Sequence, residues 1–349
     1  MRKMWWKILA VVLILYSLIA GMIVPLSPAI QTTDFRKANS GERIEFEVLG
    51  YNTHFTENAD QLRAWIRMDD YSLCLDEVEV LDDRRLKIRS QLPTRVNPVD
   101  SVRIFTLVLD AGTDGHPVLP RSISIIQQPD SSASLAPNCP IENLTARAQK
   151  MSFPFRSIIE ESIRNLYYHV PLWFGMILIF LGSMIYSIRY LRNEQLKEFV
   201  YATELIRVGV LYGLLGLITG AIWAKHTWGA YWSWDVKQNT AAISVLIYLA
   251  YFVLKDSFED YDQRARITSV YNIFAFASLI PLLFIIPRVA DSLHPGAGGN
   301  PAFGSNDLDN TMRLVFYPAV IGFTMLGYWL SSILIRIKLL DFRNKELIE

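Results

Sequence analysis

Six apolar runs dominate this sequence: Ile8–Val24, Val170–Ile188, Val208–Ala224, Val236–Leu254, Ile267–Pro287 and Leu314–Ile335. A hydrocarbon core about 30 Å thick needs roughly 20 apolar residues of helix to cross it. Each run comes close to that length, so the chain is expected to form a six-span, all-α membrane bundle. Composition agrees: 51% of residues are hydrophobic and only 19% charged, too apolar for an ordinary soluble protein. The first run follows Arg2, Lys3 and Lys7, as a signal peptide would. It lacks a small-residue cleavage pattern and ends in MIVPLSPAI, so an uncleaved span is the preferred reading.

Orientation follows the basic flanks. Fourteen Lys and Arg residues flank one set of span ends, including Arg189, Arg192, Arg207, Lys255, Arg264 and Lys338. The opposite short flanks hold only Lys225, Lys237, Arg288 and Arg313. Both termini are therefore expected in the cytoplasm, in a bacterial inner membrane. The segment from about 29 to 168, the Trp-rich stretch and the Arg288–Arg313 loop are expected on the periplasmic side. Net formal charge is zero and gives no sign of a nucleic-acid partner.

Between the first two spans the pattern changes period. Runs such as Arg43–Leu49, Leu62–Met68, Glu77–Leu81, Leu86–Arg89, Val102–Leu109 and Ser122–Ile126 alternate polar and apolar residues, with turn residues between them. That spacing predicts six or seven strands and a small all-β, sandwich-like domain. The expected organisation is a first span at 1–28, a β domain at 29–145 and a five-span domain at 146–349. Ala146–Tyr168 reads as an amphipathic helix interrupted at Pro154. Cys74 and Cys139 fall in or beside the strands, and an oxidising compartment would allow them to pair. Neither lies in a CxxC or CxxCH motif, so covalent haem attachment to this chain is not expected. His54 and His116 read as solvated loop residues.

The chemistry-bearing residues gather at the outer span ends. Trp228-Gly-Ala-Tyr-Trp-Ser-Trp-Asp235 packs Trp228, Tyr231, Trp232, Trp234 and Asp235 into eight residues. His169 opens the second span, His226 precedes the Trp-rich stretch and His294 follows the fifth span. A flat iron macrocycle needs apolar walls, axial imidazoles and cations for its carboxylates. The aromatic stretch suits the first need and His169 and His294 the second. Arg164 and Lys237 suit the third. Plainer roles stand beside these. Interfacial belts use Trp and Tyr, Asp235 is a good helix N-cap, and Lys225 and Lys237 are placed to snorkel. Lys237, Gln238 and Asn239 lie in the first turn of the fourth span, where they must face protein, ligand or a wet cavity. Pro281 should disturb the fifth span.

At these residues the chain resembles the haem exporter protein C (CcmC) family of cytochrome c biogenesis. Three blocks carry the likeness: Arg164-Asn-Leu-Tyr-Tyr-His-Val-Pro171, Leu217–Lys225 followed by Trp228–Asp235, and Leu293-His-Pro-Gly296. It covers about residues 150–340. The Trp-rich wording, a WWD-type segment, is also similar to the sister CcsA-type haem lyase subunit. The resemblance implies that His169 and His294 are axial ligands to haem b, bound non-covalently, and that the Trp-rich segment cradles the ring. It implies a periplasmic haem chaperone or apocytochrome c as recipient and ABC transporter subunits as neighbours. Lys237 stands where family members commonly have Arg, and Tyr231 where they have Trp. The large domain between the first two spans lies outside the usual family plan.

The leading expectation is a haem delivery protein with no catalytic side chain of its own. The alternatives are a haem lyase subunit and a membrane-anchored interaction protein acting through its β domain. No Ser/His/Asp, P-loop, CxxC or HExxH pattern supports hydrolase, NTPase or thiol-redox chemistry.

Overall fold

The structure is a computed structural model and describes residues 4–96, 102–127, 136–145, 150–157, 159–294 and 308–344. The chain forms two compact units, one of Met1–Val24 with Glu161–Glu349 and one of Pro25–Glu160.

The first unit is helical. Its elements are α1 (Trp5–Ile23), α2 (Leu166–Asn193), α3 (Leu196–Trp228), α4 (Val236–Asp256), α5 (Tyr261–Ile280), α6 (Ile286–Val289) and α7 (Asn310–Asn344). Among the described residues, six helical segments are long and apolar enough to cross a membrane. Their ends follow local chemistry. Asp235 and Asp260 cap α4 and α5, accepting from the backbone N–H groups of Lys237 and Gln263. Gly229 closes α3 with φ 84°, a left-handed conformation that glycine adopts without strain. Pro281 introduces a π-helical turn, Pro281–Ile285, between α5 and α6. A proline lacks the N–H that continues an α-helix, so the ladder re-registers there.

The bundle core joins α2 to α5 through Met176, Phe180, Leu205, Tyr212, Tyr248 and Leu279. A Cβ on Gly209 would sit 2.3 Å from Phe180 Cε1, so the close approach of α2 and α3 requires glycine there. In the same bundle Asn272 is fully buried and donates to Ser183 Oγ and Ser187 Oγ, both at 2.8 Å.

Among the described residues the second unit holds nine strands in two sheets: β1 (Ala29–Thr33), β2 (Lys37–Asn39), β3 (Arg43–Tyr51), β4 (Arg63–Met68), β5 (Tyr71–Cys74), β6 (Glu77–Val80), β7 (Arg85–Gln91), β8 (Val102–Asp110) and β9 (Val118–Ile126). The orders are β1-β3-β7-β6 and β2-β9-β8-β4-β5. Along β3, Ile44, Phe46 and Val48 are buried while Arg43, Glu45 and Glu47 are exposed, the period-two alternation of a half-buried strand. Ile44, Phe46, Leu86 and Ile88 from one sheet share a core with Ile66, Phe105, Leu107 and Ile123 from the other. Outside, Arg89 bridges Glu45 at 3.0 Å, Glu77 at 3.3 Å and Glu79 at 3.0 Å.

Alternation predicts six or seven strands; β3, β4, β6, β7, β8 and β9 match the alternating runs, and the short strands β1, β2 and β5 are additional to those runs. Cys74 and Cys139 form a disulfide, with Cα atoms 5.7 Å apart. Of the helix expected over Ala146–Tyr168, only the end is helical, as a 3-10 turn at Glu160–Asn165 and the first residues of α2; residues 150–157 are not helical. Phe153 instead makes a parallel bridge with Leu26, and a 3-10 turn at Glu160–Asn165 leads into α2. Backbone hydrogen bonds explain the difference. Phe153 N–H donates to Pro25 O at 2.9 Å, and Ser27 N–H donates to Phe153 O at 2.7 Å, holding this stretch extended ahead of Pro154. Residues 146–149 lie outside the described residues.

Candidate functional site

Asp235 organises one end of the helical unit. Its position as the N-cap residue of α4 aims the carboxylate at the loop that follows α6. Oδ1 accepts from Lys237 N–H at 2.9 Å, Ser292 Oγ at 3.0 Å and His294 Nδ1 at 2.7 Å. Oδ2 accepts from Leu293 N–H at 2.7 Å. Burial works against this charge, but the Leu293 N–H, His294 and the other donors outweigh it, and the carboxyl titrates below its ordinary value. His294 titrates below the ordinary histidine value as well, because burial outweighs the pull of Asp235. The imidazole is therefore neutral near pH 7. With Nδ1–H given to the carboxylate, the lone pair stands on Nε2.

His169 lies in the first turn of α2 and is oriented the same way. Its Nδ1 meets Thr219 Oγ1 at 3.0 Å. That hydroxyl donates its proton to Leu215 O at 2.8 Å, so it accepts from the imidazole. Nε2 again carries the lone pair and accepts a long hydrogen bond from Trp173 Nε1 at 3.3 Å. Gly220 makes room for the ring: a Cβ there would lie 2.8 Å from His169 Cε1.

The two imidazoles meet α3 on neighbouring positions. His169 packs at Thr219 and Gly220, whereas His294 faces Trp223 at 5.8 Å and Trp228 at 4.7 Å between ring centroids. Gly220 and Trp223 are three residues apart on one helix, a rise of about 4.5 Å.

The Trp-rich loop is held by the polar start of α4. Gln238 Oε1 accepts from Ser233 N–H at 2.9 Å and Ser233 Oγ at 3.0 Å, and Asn239 Nδ2 donates to Trp234 O at 2.8 Å. Trp234 is held at φ 57°, in the left-handed region that tryptophan rarely adopts. Its ring is 78% exposed and Tyr231 is 60% exposed, so two large aromatics are presented outward. Trp232 is half-buried and sits edge-on to Trp234 at 6.5 Å.

Not every residue singled out in the sequence enters this cluster. Arg164 turns to α1, where its guanidinium donates to Gly21 O at 2.8 Å and Val24 O at 2.7 Å and pairs with Glu161 at 2.5 Å. Lys225 donates to Gly229 O at 2.8 Å and lies over the Tyr231 ring. Lys237 is half-buried in the first turn of α4. His226 is exposed in the last turn of α3. In the β unit His54 Nδ1 pairs with buried Asp114 at 3.0 Å. Pro295 and Gly296 lie outside the described residues. Thr219, Gly220, Trp173 and Ser292 were not distinguished by sequence reasoning. The signal for Thr219 and Gly220 was their place in the Leu217–Lys225 block, and for Trp173 its helical spacing of four from His169.

Six membrane-length helices among the described residues define a multi-pass membrane protein, and two half-buried imidazoles held by Thr219 and Asp235 near an aromatic loop mark its candidate site. The family model described as heme exporter protein C (CcmC) matches residues 151–348. The chain belongs to that family. It is 28% identical over 186 residues to heme exporter protein C of Paracoccus denitrificans, covering 53% of this chain and 76% of the relative. It is 27% identical to heme exporter protein C of Haemophilus influenzae, covering 51% and 72%. A shorter match, 48% identical over 65 residues, joins it to cytochrome c biogenesis protein CcsA of Synechococcus, covering 19% of this chain and 21% of the relative.

Proposed function

We propose that the chain holds haem b non-covalently at the periplasmic face of the bacterial inner membrane and hands it on during cytochrome c maturation. One observation carries this reading: each imidazole is held at Nδ1 by a protein group, His169 by Thr219 and His294 by Asp235, which directs Nε2 of both rings away from those partners, that of His169 being shared with Trp173 Nε1 at 3.3 Å. Metal-binding histidines are commonly held this way, because the acceptor fixes the ring and raises its basicity. Haem is the cargo, and its iron supplies two axial positions.

His169 and His294 are assigned as those axial donors. Trp223 and Trp228 wall the His294 ring, and Tyr231 and Trp234, on the loop that leads to Asp235, expose flat apolar surface. Lys237 is the cation assigned to a haem carboxylate. Arg164, committed to the end of α1, fixes the approach to α2 and thereby His169. Delivery on this account is positioning, with no side-chain nucleophile.

The basic flanks support cytoplasmic termini and a periplasmic β unit. That β unit, together with the disulfide an oxidising compartment favours, suits a docking role toward a haem chaperone or apocytochrome c. The names of the heme exporter relatives support haem export, and ABC transporter subunits are the neighbours this reading assigns. The local 48% identity to CcsA favours a second reading, a cytochrome c haem lyase subunit.

Reconstitution distinguishes the two. Purified chain loaded with haem is mixed separately with a haem chaperone and with a CxxCH apocytochrome. Transfer to the chaperone alone supports delivery, and thioether formation on the apocytochrome alone supports the second reading. Failure to retain haem at all overturns both.

A further inference from the structure

The far end of the helical unit holds a second cluster that the haem reading leaves unused. α4 runs from Asp235 at the imidazole site to Asp256, a rise of about 30 Å. Around its last turn, Arg207 of α3, Lys255 of α4, Arg264 of α5 and Lys338 of α7 line one cavity of about 110 Å³. One carboxylate, Glu204, shares the lining and is buried. Four cations from four helices thus converge on a space with a single carboxylate in its wall.

The existing partners leave these cations able to accept an anion. Arg207 meets Glu204 at 3.0 Å. Lys255 and Lys338 pair with Asp256 at 2.7 Å and Asp341 at 2.9 Å, carboxylates that are 70% and 38% exposed. Such exposed pairs contribute little and exchange readily. Arg264 donates to the Phe258 carbonyl and lies over the Tyr261 ring at 5.0 Å.

The shape narrows the ligand. The cavity is far below the 300 Å³ or so of a typical small-molecule pocket, so it suits a phosphate group and excludes a macrocycle. Phe199, Tyr261 and Phe342 add apolar wall beside the cations. The lining sits where α4 and α7 end and α5 begins, and the ends of membrane-length helices are where spans meet lipid headgroups. Basic pockets between spans at this level recognise anionic lipid.

We propose that this cavity is a phosphate site occupied by the headgroup of an anionic phospholipid, which ties the ends of α3, α4, α5 and α7 together. The test is native mass spectrometry of the full chain released from nanodiscs of phosphatidylglycerol mixed with phosphatidylcholine. Wild type is compared with Arg264→Gln/Lys338→Gln and with the single variant Lys338→Gln, whose side chain is partly exposed. Thermal unfolding in detergent with added phosphatidylglycerol or inorganic phosphate is the second readout. The expected result is selective retention of phosphatidylglycerol by wild type, at least fivefold weaker in the double variant and intermediate in the single one. Equal retention by all three proteins overturns the proposal. Stabilisation by inorganic phosphate without any preference for phosphatidylglycerol overturns the lipid assignment.

Discussion

Asp235 and His294, 59 residues apart in sequence, are joined by a 2.7 Å contact between Oδ1 and Nδ1. The same carboxylate starts α4 and accepts from Ser292 and Leu293. One side chain therefore fixes a helix terminus, a loop and the orientation of an imidazole. Its removal should affect fold and ligand binding to different degrees.

Asp235→Asn retains N-capping ability but withdraws the charge facing His294 Nδ1. We expect haem affinity to fall about tenfold to a hundredfold, the usual cost of losing such an outer partner. The melting temperature should change little. Asp235→Ala should also lose about 1 kcal/mol of capping stability. Haem titration and thermal unfolding of the two variants check this.

Thr219→Val removes the acceptor for His169 Nδ1–H while conserving volume. Haem affinity should fall by about tenfold or more, without loss of helix content by circular dichroism. Gly220→Ala should act on the same ring by a different route. Its new Cβ would lie 2.8 Å from Cε1, so His169 must move. Equal haem affinity in both variants and wild type would remove His169 from the site.

Gln238→Leu deletes the acceptor that holds Ser233 and leaves the Trp-rich loop without that tie. Trp234, strained at φ 57°, should then relax. Tryptophan fluorescence should report a more mobile loop, and haem should dissociate several-fold faster in stopped-flow transfer to apomyoglobin.

The disulfide closes a loop with a sequence separation of 65 residues. Chain-entropy arguments assign such a closure about 4 kcal/mol. Cys74→Ser/Cys139→Ser, or mild reduction, should sensitise the β unit to limited proteolysis while leaving the haem spectrum unchanged.

Much of the architecture was legible because its signals are local. The six spans are long apolar runs, and β3, β7 and β8 alternate over enough residues to reveal a period of two. Ala29–Thr33 reads AIQTT and lacks that alternation, and β2 is three residues whose pairing with β9 is parallel and distant. Around Phe153 the helical pattern gave way to backbone pairing with Pro25 and Ser27, which no local signal shows. At the candidate site, residue types and motif blocks pointed to His169, His294 and the Trp-rich loop. Which ring nitrogen of each histidine is tied to Thr219 or Asp235 is set by tertiary contacts across 50 and 59 residues. Arg164 shows the reverse. Its charge and place beside His169 suggested a haem carboxylate, but proximity in sequence did not reveal that the carbonyls ending α1 lie within its reach.

The most direct test of the central claim is the absorption spectrum of the purified full chain after haem loading, for wild type, His169→Ala and His294→Ala, each with and without added imidazole. Two axial imidazoles predict an intense Soret band in wild type, a weakened and shifted band in each variant, and recovery when imidazole fills the vacated position. Identical bands in all three proteins would contradict the account.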